Sequence, residues 1–297
     1  MMKPILFCLL MMALTVTGAL GQACQRTFTV GAPFAPAAVS LQPGDIDATL
    51  GKQTLTVTKV EPIRSSRVLI LIAEDFSRLS KDKNLKQLTT RLAAIDAIPA
   101  NIRVAYAATS SGETAFSDGF TSDTQELRSG LQKLISGATT RIPARPGMDE
   151  VLNFFGQPQP GDSVVLIGEG GGYPADVQHF LEEGTRLFIL GGNHWDMQQA
   201  EATGGNYGGL DISRKKKQAE WQVEWNFWLS TTGTGYAVTV AIPPGVRVED
   251  FSWRVRLSQS GLSRLGPKKA HSFDYPDLLL CDSTAKTRIA TAVRPRY

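Results

Sequence analysis

The sequence predicts an α/β protein, a three-layer α/β/α sandwich with a mainly parallel central sheet and small flanking β regions. Three observations predict it. Residues 68–72, 163–167 and 186–190 are short, nearly continuous apolar runs, as expected of strands buried on both faces of a sheet. Segments with apolar residues at helical spacing alternate with these runs, the pattern of βα units. The stretches on either side of this core are turn-rich and β-like.

The chain opens with Lys3, an apolar run over 5–19 and small residues through Ala23, which reads as a signal peptide over 1–23. The run is short for a bilayer span of about 20 residues, and Gln22 and Gln25 follow it at once. The expected location is therefore exported: periplasmic, cell-envelope or secreted. Lipidation of Cys24 is a further option, although Gly21-Gln22-Ala23 lacks the leucine of a good lipidation motif. Cys8 leaves with the signal. Cys24 and Cys281 then stand at the two ends of an exported chain, which fits a single disulfide, with two free thiols as the alternative. A formal charge of +3 gives no ground for a nucleic-acid partner, and 42% hydrophobic with 20% charged residues is ordinary globular composition.

The N-terminal β region spans 24–65. Residues 27–30 alternate, and 47–50 with 54–60 read as a hairpin around Gly51-Lys52. The α/β domain spans 66–232. After the strand at 68–72, a helix over 80–97 carries Leu85, Leu88, Leu92 and Ile95 on one face, and Pro99 stops it. A strand over 102–108 and an edge strand over 114–120 come next. Ser122 or Asp123 caps a helix through Leu127, Leu131 and Leu134. The strands at 163–167 and 186–190 enclose a helix over 174–183, and a short helix ends at 200–205. A long helix is expected over 213–229. The C-terminal β region, 233–297, holds strands at 236–242 and 251–257 and an apolar patch at 278–281.

Several local patterns bear on function. Gly168-Glu-Gly-Gly-Gly-Tyr173 lies between a strand and a helix but lacks the third glycine of a dinucleotide fingerprint and the Gly-Lys-Ser/Thr end of a P-loop. No cofactor is expected. The three histidines, His179, His194 and His271, show no metal-ligand spacing, and there is no Gly-x-Ser-x-Gly elbow. A dispersed triad is the catalytic alternative, with His271 and Asp274 as its best pair. Trp221, Trp225 and Trp228 share one helix face just after Arg214-Lys-Lys-Lys217. Core packing is the favoured reading of that face, and a lipid surface or partner groove the alternative.

The order of elements over about 37–258 resembles the von Willebrand factor A type, and in particular bacterial proteins that place a short β region before that domain. The residues that carry the resemblance are Ala37 to Val60, the Ala202-Thr-Gly-Gly205 step, and the strands Tyr236-Ala-Val-Thr-Val240 and Ser252-Trp-Arg-Val-Arg256. The resemblance implies an adhesion site in which Asp-x-Ser-x-Ser, a later Thr and a later Asp hold one divalent cation, completed by a partner's carboxylate. Here the first motif reads Ala73-Glu74-Asp75-Phe76-Ser77. Ala73 stands where the first Asp belongs, and Asp75 replaces the first Ser. Thr139 or Thr140 fills the threonine slot, and Glu169 stands where the last Asp belongs. A hard cation needs an oxygen cage of near-ideal geometry, so the expected site is degenerate and metal-free, with a looser Ca²⁺ on Asp75 and Glu169 as the alternative. The function this implies is non-catalytic: an exported binding or scaffold module meeting an unknown protein partner of the cell envelope through the strand C-terminal loops.

Overall fold

A computed structural model describes residues 24–32, 39–74, 76–110, 113–138, 148–168, 177–191, 194–212, 215–244, 246, 253–265 and 273–281. The segment 1–23, expected to be a signal peptide, lies outside them. Two sheets organise the chain. The first is six-stranded, built from β4 (Ser66–Ile72), β5 (Ile102–Ser110), β6 (Glu113–Phe116), β7 (Ser163–Ile167), β8 (Arg186–Leu190) and β9 (Tyr207–Gly208), in the order β6-β5-β4-β7-β8-β9. All pairings are parallel except the edge hairpin of β5 with β6.

Strand alternation divides this sheet's side chains between two cores. Val68, Ile70 and Ile72 of β4, with Val165, Ile167, Phe188 and Leu190, meet the apolar faces of α1 (Lys83–Ala93), α2 (Thr124–Ala138) and α6 (Gln218–Gly233). Leu69, Leu71, Val164, Leu166, Leu187 and Ile189 meet α3 (Met148–Asn153), α4 (Val177–Glu183) and α5 (His194–Ala202) on the other face. This is the three-layer sandwich that the apolar runs predict.

Local chemistry explains the element boundaries. The first helix begins at Lys83 rather than residue 80, because the Asp82 carboxylate caps it and accepts from the N–H groups of Asn84 (2.9 Å) and Leu85 (3.1 Å). Asp123 does the same for α2, accepting from Gln125 and Glu126. The edge strand expected over 114–120 ends at Phe116. Beyond it the Ser117 hydroxyl accepts from the Tyr106 N–H, and Thr121 forms an isolated bridge with Val104. The long helix begins at Gln218 rather than residue 213 and runs on to Gly233.

The second sheet is five-stranded and antiparallel, in the order β1-β10-β3-β2-β11, from β1 (Cys24–Gly31), β2 (Ile46–Leu50), β3 (Gln53–Pro62), β10 (Gly235–Ile242) and β11 (Trp253–Leu257). Strands from the two ends of the chain thus share one sheet. Its core gathers Val30, Leu41, Ile46, Leu55, Val238, Val240 and Trp253, with α7 (Gln259–Leu265) packed alongside. Cys24 and Cys281 are disulfide-bonded, with Cα atoms 6.0 Å apart.

The tryptophan face resolves toward packing. Trp221 and Trp225 are 0% and 1% exposed and stack at 5.4 Å, and Arg91 lies over the Trp221 ring at 5.9 Å. Contact with lipid through all three tryptophans is therefore ruled out, since only Trp228 keeps partial exposure.

Candidate functional site

In a parallel sheet every strand ends at the same edge, so the loops after β4, β7 and β8 gather there. The pairing of Ile72 with Ile167, and of Ile167 with Leu190, brings these three strand ends side by side. Two glycines allow the close approach. Gly168 has φ +147°, and a Cβ there would lie 3.0 Å from the Ala73 carbonyl oxygen and 3.1 Å from Glu74 Oε1. Gly191 has φ +92°, and a Cβ there would lie 3.2 Å from the Gly168 carbonyl oxygen.

Above these strand ends opens a cleft. Its polar wall carries Glu74, Arg78, Asp82 and Asn84, and its apolar wall includes Leu210 and Ile212. Arg78 pairs with Asp82 at 3.4 Å, with 65% of the arginine side chain exposed. The pairing fixes Asp82, which already caps α1, and leaves the guanidinium facing outward. The arrangement offers a cation, carboxylates and apolar side chains to a macromolecular surface or a ligand.

The residues singled out from sequence for the adhesion site fall mostly outside the described residues: Asp75, Thr139, Thr140 and Glu169 all do. Ser77 belongs to a 3-10 turn, Phe76–Arg78, and its side chain lies outside the description. Ala73 and Glu74 are described and stand at the β4 end beside Gly168. Among the described residues no group of three or more His, Cys, Asp or Glu side chains comes together. His271 is outside the described residues. Asp274, its proposed triad partner, is paired through its backbone with Gly31. His179 instead meets Asp149 at 2.7 Å, an exposed contact joining α4 to α3.

The opposite edge, where the parallel strands begin, carries polar residues whose importance the sequence did not reveal. Arg67 forks onto the Asp162 carboxylate through Nε (2.8 Å) and Nη2 (2.6 Å). Arg186 is buried at the seam with the second sheet, where its Nη2 donates to the Thr232 carbonyl. Burial draws the Arg186 guanidinium down to about 10, while Asp274 and Asp162 act against that shift. The only hint in the sequence is a charged residue at the first turn of an otherwise apolar run.

No protein-family model and no curated protein matches the chain. Solved structures with partial likeness include a von Willebrand factor type A protein from Catenulispora acidiphila, at 12% identity over 92% of this chain and 78% of that one, with a TM-score of 0.40. An aerotolerance-related membrane protein from Bacteroides fragilis matches at 15% identity, over 56% of this chain and 98% of that one, with a TM-score of 0.41. Proximal thread matrix protein 1 from the mussel byssus matches at 12% identity over 57% of this chain, with a TM-score of 0.39. This chain spans 48% of the byssus protein's length. At such scores these likenesses stand beside the fold described above and carry no argument about activity.

Proposed function

We propose that the protein is a non-catalytic, exported binding module of the von Willebrand factor A type, which engages a protein partner of the cell envelope at the C-terminal edge of its parallel sheet. The observation that carries this reading is the cleft over the ends of β4, β7 and β8, with Arg78 exposed on one wall and Leu210 and Ile212 on the other. Open α/β sheets bind ligands at this edge because strand ends and helix N-termini converge there. In this reading the site works without a cation: Ala73 supplies no oxygen ligand where the resembling family has a carboxylate, and a small hard cation demands a full cage.

Blocking the cleft tests the proposal. Leu210→Asp, checked for unchanged melting, should abolish capture of a partner from envelope extract by immobilised protein. Thr54→Asp, on the exposed face of the second sheet, should leave capture intact. Equal capture by both variants would remove the cleft from the account.

A further inference from the structure

Residues 273–281 form a strap that runs from the second sheet onto the α/β domain. Gly31 and Asp274 exchange both backbone hydrogen bonds, at 2.6 and 2.9 Å, and Cys281 is bonded to Cys24 at the start of β1. Between these points the strap holds the end of α5. The Asp277 N–H donates to the Ala202 carbonyl at 2.7 Å, and Pro276 bridges Thr203. Gly204 has φ +74°, and a Cβ there would lie 2.7 Å from the Pro276 nitrogen.

The gripped residues lead to the cleft over the strand ends. The Thr203 hydroxyl accepts from the Leu187 N–H and donates to the Ala200 carbonyl, both at 2.8 Å. Strap and β8 therefore hold this turn between them. Next comes β9, whose Asn206 and Gly208 carbonyls accept from the Ile189 and Gly191 N–H groups, each at 3.0 Å. The Trp228 ring closes on Gly208. Gly209, Leu210 and Ile212 follow and line the cleft. A strand of two residues gives little support of its own, so the turn at Thr203 anchors that wall.

The far end of the strap depends on the disulfide. Among the described residues one hydrogen bond backs it beyond Asp277, from Arg26 Nη2 to the Leu280 carbonyl at 3.2 Å, with half-buried Leu278 and Leu280 packed alongside. Cys24 and Cys281 are both partly exposed, within reach of an attacking thiolate. A segment with few buried contacts opens locally at low cost once its covalent tie is cut.

We propose that the Cys24–Cys281 disulfide is a redox-sensitive latch on the candidate cleft. The oxidised strap holds Ala202 and Thr203, and through β9 it sets the wall at Leu210. A reductant of the dithiol class opens the latch. Its thiolate attacks one sulfur, and its second thiol resolves the mixed disulfide, so that two protein thiols form and the dithiol becomes a disulfide. The strap then parts from α5, and Leu210 loses its fixed place. In an exported protein the closed state is the resting one. The effect on partner binding rests on the reading of the cleft as the partner site, whereas the coupling of strap to wall does not.

The test compares amide NMR spectra of the full mature chain, oxidised and held reduced with dithiothreitol. Reduction should move or broaden the resonances of residues 203–210 while those of β4 and β7 stay in place. Asp277→Pro lacks the N–H that meets Ala202, and should produce the same changes at 203–210 with the disulfide intact. Capture of the partner from envelope extract should fall about fivefold or more in both cases. Changes confined to β1 and residues 278–281 would overturn the latch. So would the collapse of β4 and β7 resonances together with the rest, which is unfolding. Changes at 203–210 with undiminished capture would uphold the coupling and contradict the reading of the cleft as the partner site.

Discussion

Arg67 and Asp162 form a two-pronged ion pair at the base of the parallel sheet, with 12% and 1% of their side chains exposed. The same guanidinium donates to the carbonyls of Phe155 (2.7 Å) and Gln157 (2.8 Å), and the same carboxylate accepts from the Gln159 N–H (2.8 Å). One arginine therefore ties the start of β4 to the loop entering β7. Removing one member leaves the other charge buried and unpaired. Arg67→Ala should cost about 3–5 kcal/mol in urea unfolding. Arg67→Lys should also destabilise, because an ammonium lacks the planar fork. A loss below about 1 kcal/mol for Arg67→Ala, the size of an exposed pair, would contradict this role.

The disulfide joins residues 257 apart in sequence. Reduction, or the double change Cys24→Ser and Cys281→Ser, should lower stability by about 2–4 kcal/mol. Mass spectrometry of the non-reduced mature protein should show neither thiol open to alkylation. Two alkylatable thiols in the native protein would contradict the pairing.

Helix α6 offers an internal comparison. Trp225 is 1% exposed, whereas Val223 is 72% exposed on the same helix. Trp225→Ala should cost about 3–5 kcal/mol. Val223→Ala should stay within about 0.5 kcal/mol. Similar melting temperatures for the two variants would refute the packing described here.

Asp45 predicts a pH dependence. Burial acts to raise its pKa, but hydrogen bonds from the Gln42 N–H (2.8 Å) and the Ser260 hydroxyl (2.7 Å), with Arg264 at 3.0 Å, outweigh it and hold the carboxyl below its ordinary value. A folded pKa below the unfolded one gives stability that is present above the unfolded value, about 3.9 for Asp, and is lost as pH falls through the folded value. Asp45→Asn should therefore cost stability at neutral pH and flatten the acid limb of the melting profile below about pH 4. An acid limb as steep as that of the wild type would remove Asp45 from the account.

Metal dependence gives a further check. Millimolar Mg²⁺ should leave the wild-type melting temperature unchanged, because only a ligand that binds the native state raises it. The triple change Ala73→Asp, Asp75→Ser, Glu169→Asp should install Mg²⁺-dependent stabilisation by restoring the oxygen cage. Clear stabilisation of the wild type would show that the site is not degenerate.

The parallel core was legible in the sequence because β4, β7 and β8 are apolar on both faces, and α1 and α2 repeat leucine at helical spacing. Boundaries were less so, since Asp82 capping α1 and the Ser117 hydroxyl ending β6 are single hydrogen-bonding choices. The pairing of β1 with β10 brings Cys24 against Ile242, and nothing local encodes a partner so distant. The two-residue β9 is too short to leave a periodic signal. At the candidate site, the order of elements indicated the edge, but the cleft's walls come from Arg78, Asp82 and Leu210, none of which belongs to a motif. Arg67 and Arg186 were hidden for a related reason: a charge at the start of an apolar run looks like a solvated strand end until the loop entering β7 covers Arg67 and the second sheet covers Arg186.

Docking of a partner over the C-terminal ends of the parallel strands can be read by cross-linking from two positions. A photo-cross-linking residue placed at Leu210 reports on that cleft, and one at Gln157, in the loop before β7, reports on the opposite edge. In live cells exporting the full chain, the account predicts a discrete cross-linked species from position 210 that Arg78→Glu abolishes, and none from position 157. Cross-links of equal yield from both positions, or from position 157 alone, would contradict it.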